Sequence, residues 1–279
     1  MRSVAVVTIV HGRHEHLRQQ RQSLAAGSST PAHVVVAMSD PLIDAMFDAD
    51  KPTRIVTLAA DPDALPLARA RNVGAREAIE RGAETLIFLD VDCLAAPKLV
   101  AAYAQAVAHS PGTIWSGPVT YLPAGLTEDE LARPWDFDDP HPARPAPGPG
   151  ELIRDADPNL FWSLSFAIHH HAWLRSGGFC EQYIGYGAED TDFAQQAAER
   201  GLQFGWVGDA RAYHQYHPTQ DPPVQHVQDI VRNATLFHTR WGRWPMLGWL
   251  RAFEQSGLVE RTEQGWRVCE ARAVPRIQG

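Results

Sequence analysis

The sequence predicts an α/β fold built on a doubly wound, mostly parallel sheet, and three observations carry that prediction. First, four short runs are apolar or β-branched for most of their length: Val4 to Val10, Val34 to Met38, Arg54 to Leu58 and Thr85 to Leu89. Runs of this kind read as strands buried on both faces, as in parallel sheets. Second, segments with helical patterning separate these runs at the spacing of βαβ units. Third, His11 to Arg13, Asp40, and Asp90 with Asp92 all stand just past the carboxyl ends of the runs. Ligands of doubly wound sheets bind at those ends.

Taken in order, Val4 to Val10 is the first strand, and His11-Gly12-Arg13 is the turn after it. A polar helix follows from about Glu15 to Leu24 and stops at Gly27. The second strand ends at Ser39-Asp40-Pro41. Leu67 to Arg81 is a helix closed by Gly82, since glycine accepts the left-handed conformation that ends helices. The fourth strand delivers Asp90-Val91-Asp92. Pro97 to His109 is a helix with proline in its first turn. Residues 123 to 158 are rich in Pro, Gly and Asp and break the pattern. This long excursion is either a rim or lid beside an acceptor site or a solvated insertion. Leu160 to Ile168 reads as a strand, Thr191 to Arg200 as a helix, and Phe204 to Val207 and Ala210 to His214 as short strands. Two amphipathic segments, about Val224 to Arg240 and Pro245 to Gln255, form the tail. The expected division is a domain over residues 1–218 and a helical extension over 219–279.

The chain has 279 residues, 44% hydrophobic and 21% charged, and a formal net charge of −8. That balance argues against nucleic acid as the main partner, because phosphate binding needs a basic stripe. Nine Trp supply aromatic faces that suit sugars and bases, although core packing uses them as well. Cys93, Cys180 and Cys269 are odd in number and widely spaced, so no disulfide framework or zinc knuckle is expected, and a cytoplasmic location fits. The apolar run near Met1 is too short for a signal h-region. No stretch reaches the length of a membrane span. A peripheral membrane contact through the aromatic tail is compatible with the sequence.

The chemistry concentrates in two places. Asp90 and Asp92, two apart past a buried strand, can bind a hard divalent cation that also grips phosphate oxygens. Glu189, Asp190 and Asp192 follow the glycine- and aromatic-rich loop Gly177 to Gly187. Acids at a helix start satisfy free amides and oppose the dipole. That explains one or two of them but not the loop upstream. We read Asp190 as a general base and Asp192 as structural. His214 beside a carboxylate would complete a mixed oxygen and nitrogen site suited to Mn2+ over Mg2+, or it is an exposed loop residue. Pro218 favours a loop reading for His217. His169, His170 and His171 cannot all face one way on a strand and read as surface. Arg69 and Arg71 at a helix start suit a diphosphate or a charged helix face, and Arg13 has the same two readings. Asp40 could accept a uracil imide N–H or cap the turn before Pro41.

These residues resemble a family. Arg13-His14-Glu15-His16-Leu17, Ala70-Arg71-Asn72-Val73-Gly74, Asp90-Val91-Asp92 and Gly178-Phe179 through Asp192 follow, in order, motifs of the GT-A glycosyltransferases. The likeness is to family 2 and to the β-1,4-galactosyltransferase type. It implies a Rossmann-like GT-A domain with a C-terminal helical extension. It also implies a metal-dependent, inverting transfer of a hexose or N-acetylhexosamine from a nucleotide sugar, UDP-linked, to the hydroxyl of a glycan, lipid or small molecule. By the same resemblance Asp92 and His214 would ligate Mn2+ (or Mg2+), and Asp90 would contact the ribose or the metal shell. Arg13 would bind nucleotide and Tyr186 would cover the donor. Asp190 would be the base and Glu189 would hold the acceptor. The family's loop Trp is Tyr186 here, and one of its Gly is Ala188. A third protein ligand is not evident, since Arg211 stands near its place. A sugar-nucleotide nucleotidyltransferase needs a Gly-rich, Lys-bearing loop that His11-Gly12-Arg13 does not supply. A non-catalytic carbohydrate-binding protein has no need for Asp90, Asp92 and His214 to converge.

Overall fold

The computed structural model describes residues 3–46 and 53–269, so the last ten residues of the expected extension lie outside it. The first half of the chain alternates β1 (Val4–Val10), α1 (His14–Ala25), β2 (Ala32–Met38), α2 (Leu42–Ala45), β3 (Thr53–Leu58), α3 (Leu67–Glu80) and β4 (Thr85–Leu89). Then come β5 (Cys93–Ala95), α4 (Leu99–His109), β6 (Thr113–Ser116), β7 (Val119–Tyr121), α5 (Glu128–Leu131) and β8 (Leu152–Ile153). The second half holds β9 (Ser165–His169), α6 (His170–Ser176), α7 (Glu189–Glu199), β10 (Gln203–Val207) and β11 (Ala212–His214). It closes with α8 (Val227–Trp241), α9 (Leu247–Gln255), β12 (Val259–Thr262) and β13 (Gly265–Val268).

Eight strands form the main sheet in the order β3-β2-β1-β4-β9-β6-β10-β8. The pairings of β1 with β2 and β4, of β2 with β3 and of β6 with β10 are parallel. Strands β9 and β8 run against their neighbours. The doubly wound, mostly parallel expectation therefore holds. The carboxyl ends of β1, β2, β4, β6 and β10 meet at one edge. A second sheet, β5-β11-β7, sits past the ends of β4 and β10. In it His214 is opposite both Cys93 and Tyr121. That register sets Asp92 beside His214.

Burial explains the main sheet. Val6, Val35, Val36, Leu86 and Ile87 are fully buried, and Phe88 stacks on Phe166 with ring centres 4.5 Å apart. Helix α3 lies close against β1 and β2 at Gly74, where an added Cβ would come within 2.4 Å of Val7 Cγ1 and 3.1 Å of Val36 Cγ2. A glycine inside a helix costs about 1 kcal/mol against alanine; here the near approach of helix and sheet needs it.

Several expectations are corrected. Residues 160–164 are not strand: Pro158–Leu160 is a 3-10 turn and β9 starts only at Ser165. The helix expected from Pro97 starts at Leu99. Residues 123 to 158 are built, not bare loop. They carry α5 with a Thr127 capping box and the edge strand β8, and they are pinned by Arg211 to Asp138 at 2.7 Å. His169 ends β9 and caps α6, so the three histidines are not all on a strand. The extension has a small core of its own, including Val227, Ile230, Leu250, Phe253 and Trp266, yet Phe237 of α8 is part of the main core.

Candidate active site

The site forms where three strand ends meet the start of α7. The chain turns at Asp90-Val91-Asp92-Cys93, with the Cys93 N–H donating to Asp90 O at 2.8 Å. Asp92 Oδ2 lies 3.4 Å from His214 Nε2 and 3.4 Å from His217 Nε2. One ligand atom from each of the three falls within 4.8 Å of the others, and this is the one such group among the described residues. Burial opposes the Asp92 anion, but the two imidazoles more than offset it and hold the carboxyl far below the usual range. One carboxylate oxygen and two imidazole nitrogens are a fitting donor set for Mn2+. His217 is a loop residue, as expected, but it joins this group and could serve as the third ligand that the sequence reading did not name. The H-x-x-H spacing from His214 was the signal available. Arg211 is turned away to Asp138.

Asp90 faces elsewhere. It accepts from Arg71 Nη2 at 3.0 and 3.3 Å, outside the three-ligand group. Arg71 is buried in the second turn of α3, and its other arm reaches Glu189 Oε1 at 3.4 Å. Arg69, two residues earlier, is exposed. The two arginines therefore do not act as a pair, and Arg71 is committed to carboxylates. Burial raises the carboxyl of Asp90 in spite of Arg71.

Glu189 and Asp190 open α7. Ala188, just before them, holds a left-handed φ of 70°. A non-glycine residue pays for that conformation, and the backbone there is turned so that both acids face inward. Burial first, then the neighbouring Asp190 charge, pushes Glu189 up to about 7. Burial also raises Asp190, whose Oδ1 accepts from the Thr191 N–H at 2.7 Å and from its hydroxyl at 3.2 Å. Asp192 points the other way. It is fully buried, and its Oδ1 accepts from Tyr183 Oη, Arg240 Nε and Trp241 Nε1 at 3.0, 2.7 and 2.7 Å. Its structural reading agrees with this geometry.

The loop ahead of α7 is held from the far side by α8. Asn233 Nδ2 donates to Ile184, Tyr186 and Gly187 carbonyls at 3.0–3.2 Å, and Arg232 also donates to Ile184 O. Gly185, at φ 68°, packs so near Asp229 that a Cβ would come within 2.2 Å of its Oδ2. Tyr186 projects, half exposed, stacked on His226 at 4.7 Å. Across the site, His214 stacks on Tyr121 (4.5 Å), Tyr121 meets His141 (5.5 Å) and His141 meets Trp162 (5.1 Å). Arg144 lies 3.5 Å over the Trp162 ring. The 123–158 excursion thus supplies part of an aromatic wall.

At the nucleotide end expected from the sequence, Asp40 is fully engaged. Its Oδ2 accepts from the Gly12 N–H at 2.8 Å and meets His14 Nε2 at 2.9 Å, and its Oδ1 accepts from the Leu42 N–H at 3.2 Å. The turn-capping alternative is the one realised. Arg13 sits at the start of α1 with φ 52° and an exposed side chain. A cavity of about 260 Å3 lies apart from all this, between α1 and residues 128–135.

Residues 158–218 match a family model described as the N-terminal domain of galactosyltransferase. The chain superposes on GalNAc-T7 with UDP, GalNAc and Mn2+, with a TM-score of 0.58 at 14% identity. That alignment covers 91% of this chain and 54% of the other. The fold is that of the GT-A glycosyltransferases. A fragment of S. aureus TarS gives a TM-score of 0.59 at 13% identity, covering 88% of this chain and 66% of that one. The same fragment in complex with UDP gives 0.57 at 13%, covering 86% and 72%. The chain therefore spans about half to two thirds of the first two of these structures. No curated protein sequence matches the chain. Among the described residues no helix is long and apolar enough to cross a membrane.

Proposed function

We propose that the chain is a metal-dependent, inverting glycosyltransferase. In this reading it moves a hexose or N-acetylhexosamine from a UDP-linked sugar to a hydroxyl of a glycan, lipid or small molecule. The observation that carries it is the arrangement of two unlike carboxylate sites about one buried cation. Arg71 bridges Asp90, two residues before the Asp92 of the Asp92–His214–His217 group, to Glu189 of the Glu189–Asp190 pair. The UDP in two of the similar structures supports the choice of nucleotide, and the Mn2+ in one supports the metal.

Asp92, His214 and His217 would hold Mn2+, which when bound neutralises a departing diphosphate. Asp190 takes the proton of the acceptor hydroxyl as its oxygen attacks the anomeric carbon. The bond from that carbon to the diphosphate oxygen breaks on the opposite face, so the configuration inverts. A proton transfer that late suits a carboxylate whose basicity burial has raised. Glu189, held by Arg71, orients the acceptor. Tyr186 covers the donor, and Tyr121, Trp162 and His141 offer faces to sugar rings. Arg13 and Arg69 are the exposed cations at the nucleotide end. Asp40 orders the turn that presents Arg13.

Residues 1–218 act as the catalytic unit in this reading, with 219–279 holding its loop through α8. Free Cys93, Cys180 and Cys269 agree with a reducing, cytoplasmic setting. The test is a screen of UDP-sugars for Mn2+-dependent UDP release with wild type and Asp190→Asn. The reading expects release by wild type and a loss of transfer of 100-fold or so in the variant. Near wild-type transfer by Asp190→Asn would remove the base assignment.

A further inference from the structure

Helix α1 is polar on its surface, and its inward face is Leu17, Leu24 and one misfit, Gln20, which is 0% exposed. A buried primary amide is costly unless every group finds a partner. Gln20 finds them all, and they lead to the metal centre. Its Nε2 donates to Asp90 O at 2.7 Å and to Cys93 O at 3.1 Å, with a longer contact to Leu89 O at 3.4 Å. Asp90 and Cys93 are the first and last residues of the turn that displays Asp92, closed by its own hydrogen bond. Gln20 therefore grips both ends of that turn.

The grip is directional. Carbonyls only accept, so the amide nitrogen must face the turn and Oε1 must face away. Oε1 accepts from Thr8 Oγ1 at 2.9 Å. Thr8 has thereby used its one proton, so it accepts from His33 Nε2 at 3.1 Å. His33 is buried, and burial holds it neutral, so donation to Thr8 places its one ring proton on Nε2. Histidine, threonine and glutamine thus form one relay across β2, β1 and α1, ending on the metal turn. The same helix holds the other half of the site. Gln215, next to His214, donates its Nε2 to His16 O at 3.2 Å and its backbone N–H to Asp92 O at 2.7 Å.

We propose that Gln20, oriented by Thr8 and His33, is a positioning residue that fixes the Asp92 turn against His214 and His217 and so sets the affinity of the metal centre. This rests on the metal reading of the proposed function. An apolar residue would fill the same space but leave the Asp90 and Cys93 carbonyls without the amide that joins them. Groups one layer behind a metal's ligands are commonly worth 10–100-fold in affinity.

The test measures Mn2+ binding through the loss of the free-ion electron paramagnetic resonance signal, with and without UDP. It uses wild type, Gln20→Leu, Thr8→Val and Thr8→Ser, and circular dichroism checks the fold of each. The expected result is Mn2+ affinity about 10–100-fold weaker in Gln20→Leu. Thr8→Val should weaken it in the same direction, and Thr8→Ser, which keeps the hydroxyl, should restore it. Equal affinity in a folded Gln20→Leu overturns the proposal. Should Gln20→Leu not fold, the two Thr8 variants decide, and equal affinity in both overturns it. Wild type that binds no Mn2+ even with UDP present would instead sink the metal reading itself.

Discussion

Arg71 places one guanidinium nitrogen 3.0 Å from Asp90 and so ties the strand end that carries Asp92 to the helix start that carries Glu189 and Asp190. Among the described residues it is the one buried cation that touches both halves of the site. Removing it as Arg71→Met would leave the buried Glu189 and the part-buried Asp90 without compensation. Loss of one partner of a buried pair costs about 3–5 kcal/mol. Urea denaturation should show a loss of that size. Arg71→Lys should recover only part of it, since a single ammonium cannot span both carboxylates.

Removing a ligand should cost more than removing a support. His217→Ala should weaken Mn2+ binding by more than the roughly 10–100-fold typical of outer-layer changes. It should also narrow the preference for Mn2+ over Mg2+, because imidazole is what favours the former. Calorimetric titration with each ion checks both points. Unchanged affinity would return His217 to the loop role that Pro218 suggested.

Glu189 is pushed up to about 7, first by burial and then by the Asp190 charge. Below that pH it keeps its proton and can donate to an acceptor oxygen; above it the carboxylate can only accept, and the donated bond is lost. The acceptor KM should therefore rise as pH increases through about 7. Glu189→Gln, neutral at every pH and still a donor, should flatten that rise. Steady-state kinetics at fixed saturating donor from pH 6 to 8.5 would show it. A KM independent of pH in wild type would count against the assigned role.

Asp192 and Asp190 should separate cleanly. Asp192→Ala would strand Tyr183, Arg240 and Trp241, all of which converge on one oxygen. A loss of about 3–5 kcal/mol is expected, with Mn2+ affinity unchanged in the folded protein. Asp190→Asn should do the reverse, sparing stability and removing transfer. Thermal melts beside metal titrations distinguish the two acids.

The main sheet was legible because its strands are long enough to carry a pattern. Val4 to Val10 and Thr85 to Leu89 read as buried strands from composition alone. Strands β5 and β7 hold three residues each, too few for any period, and they are the ones that set Asp92 beside His214. His217 hid behind Pro218, because local turn chemistry says nothing about a carboxylate more than a hundred residues away. Arg69 and Arg71 looked alike in sequence. A helix turns 100° per residue, so two positions apart they part company, one to solvent and one to the interior. Gln20 gave no signal at all, since glutamine on a polar helix reads as surface. Asp190 and Glu189 stood out because their aromatic, glycine-rich prelude is unusual.

The reversed strand β9 has an outcome for how such a protein can change over time. β6 leaves the sheet at Ser116 and β9 re-enters at Ser165, opposite Leu89, so departure and return share one edge. Between them β7 stays paired to β11 and β8 to β10, while the stretch from Leu122 to Glu151 hangs from the rim like a visor whose length the sheets do not feel. Doubling a loop costs only about 0.6 kcal/mol in closure entropy. Lineages could trade this visor for a longer, shorter or differently aromatic one while Arg71, Asp92 and the layer behind them stay untouched. Recognition of the incoming hydroxyl would diverge under such exchange, and the machinery for breaking the donor would be inherited whole.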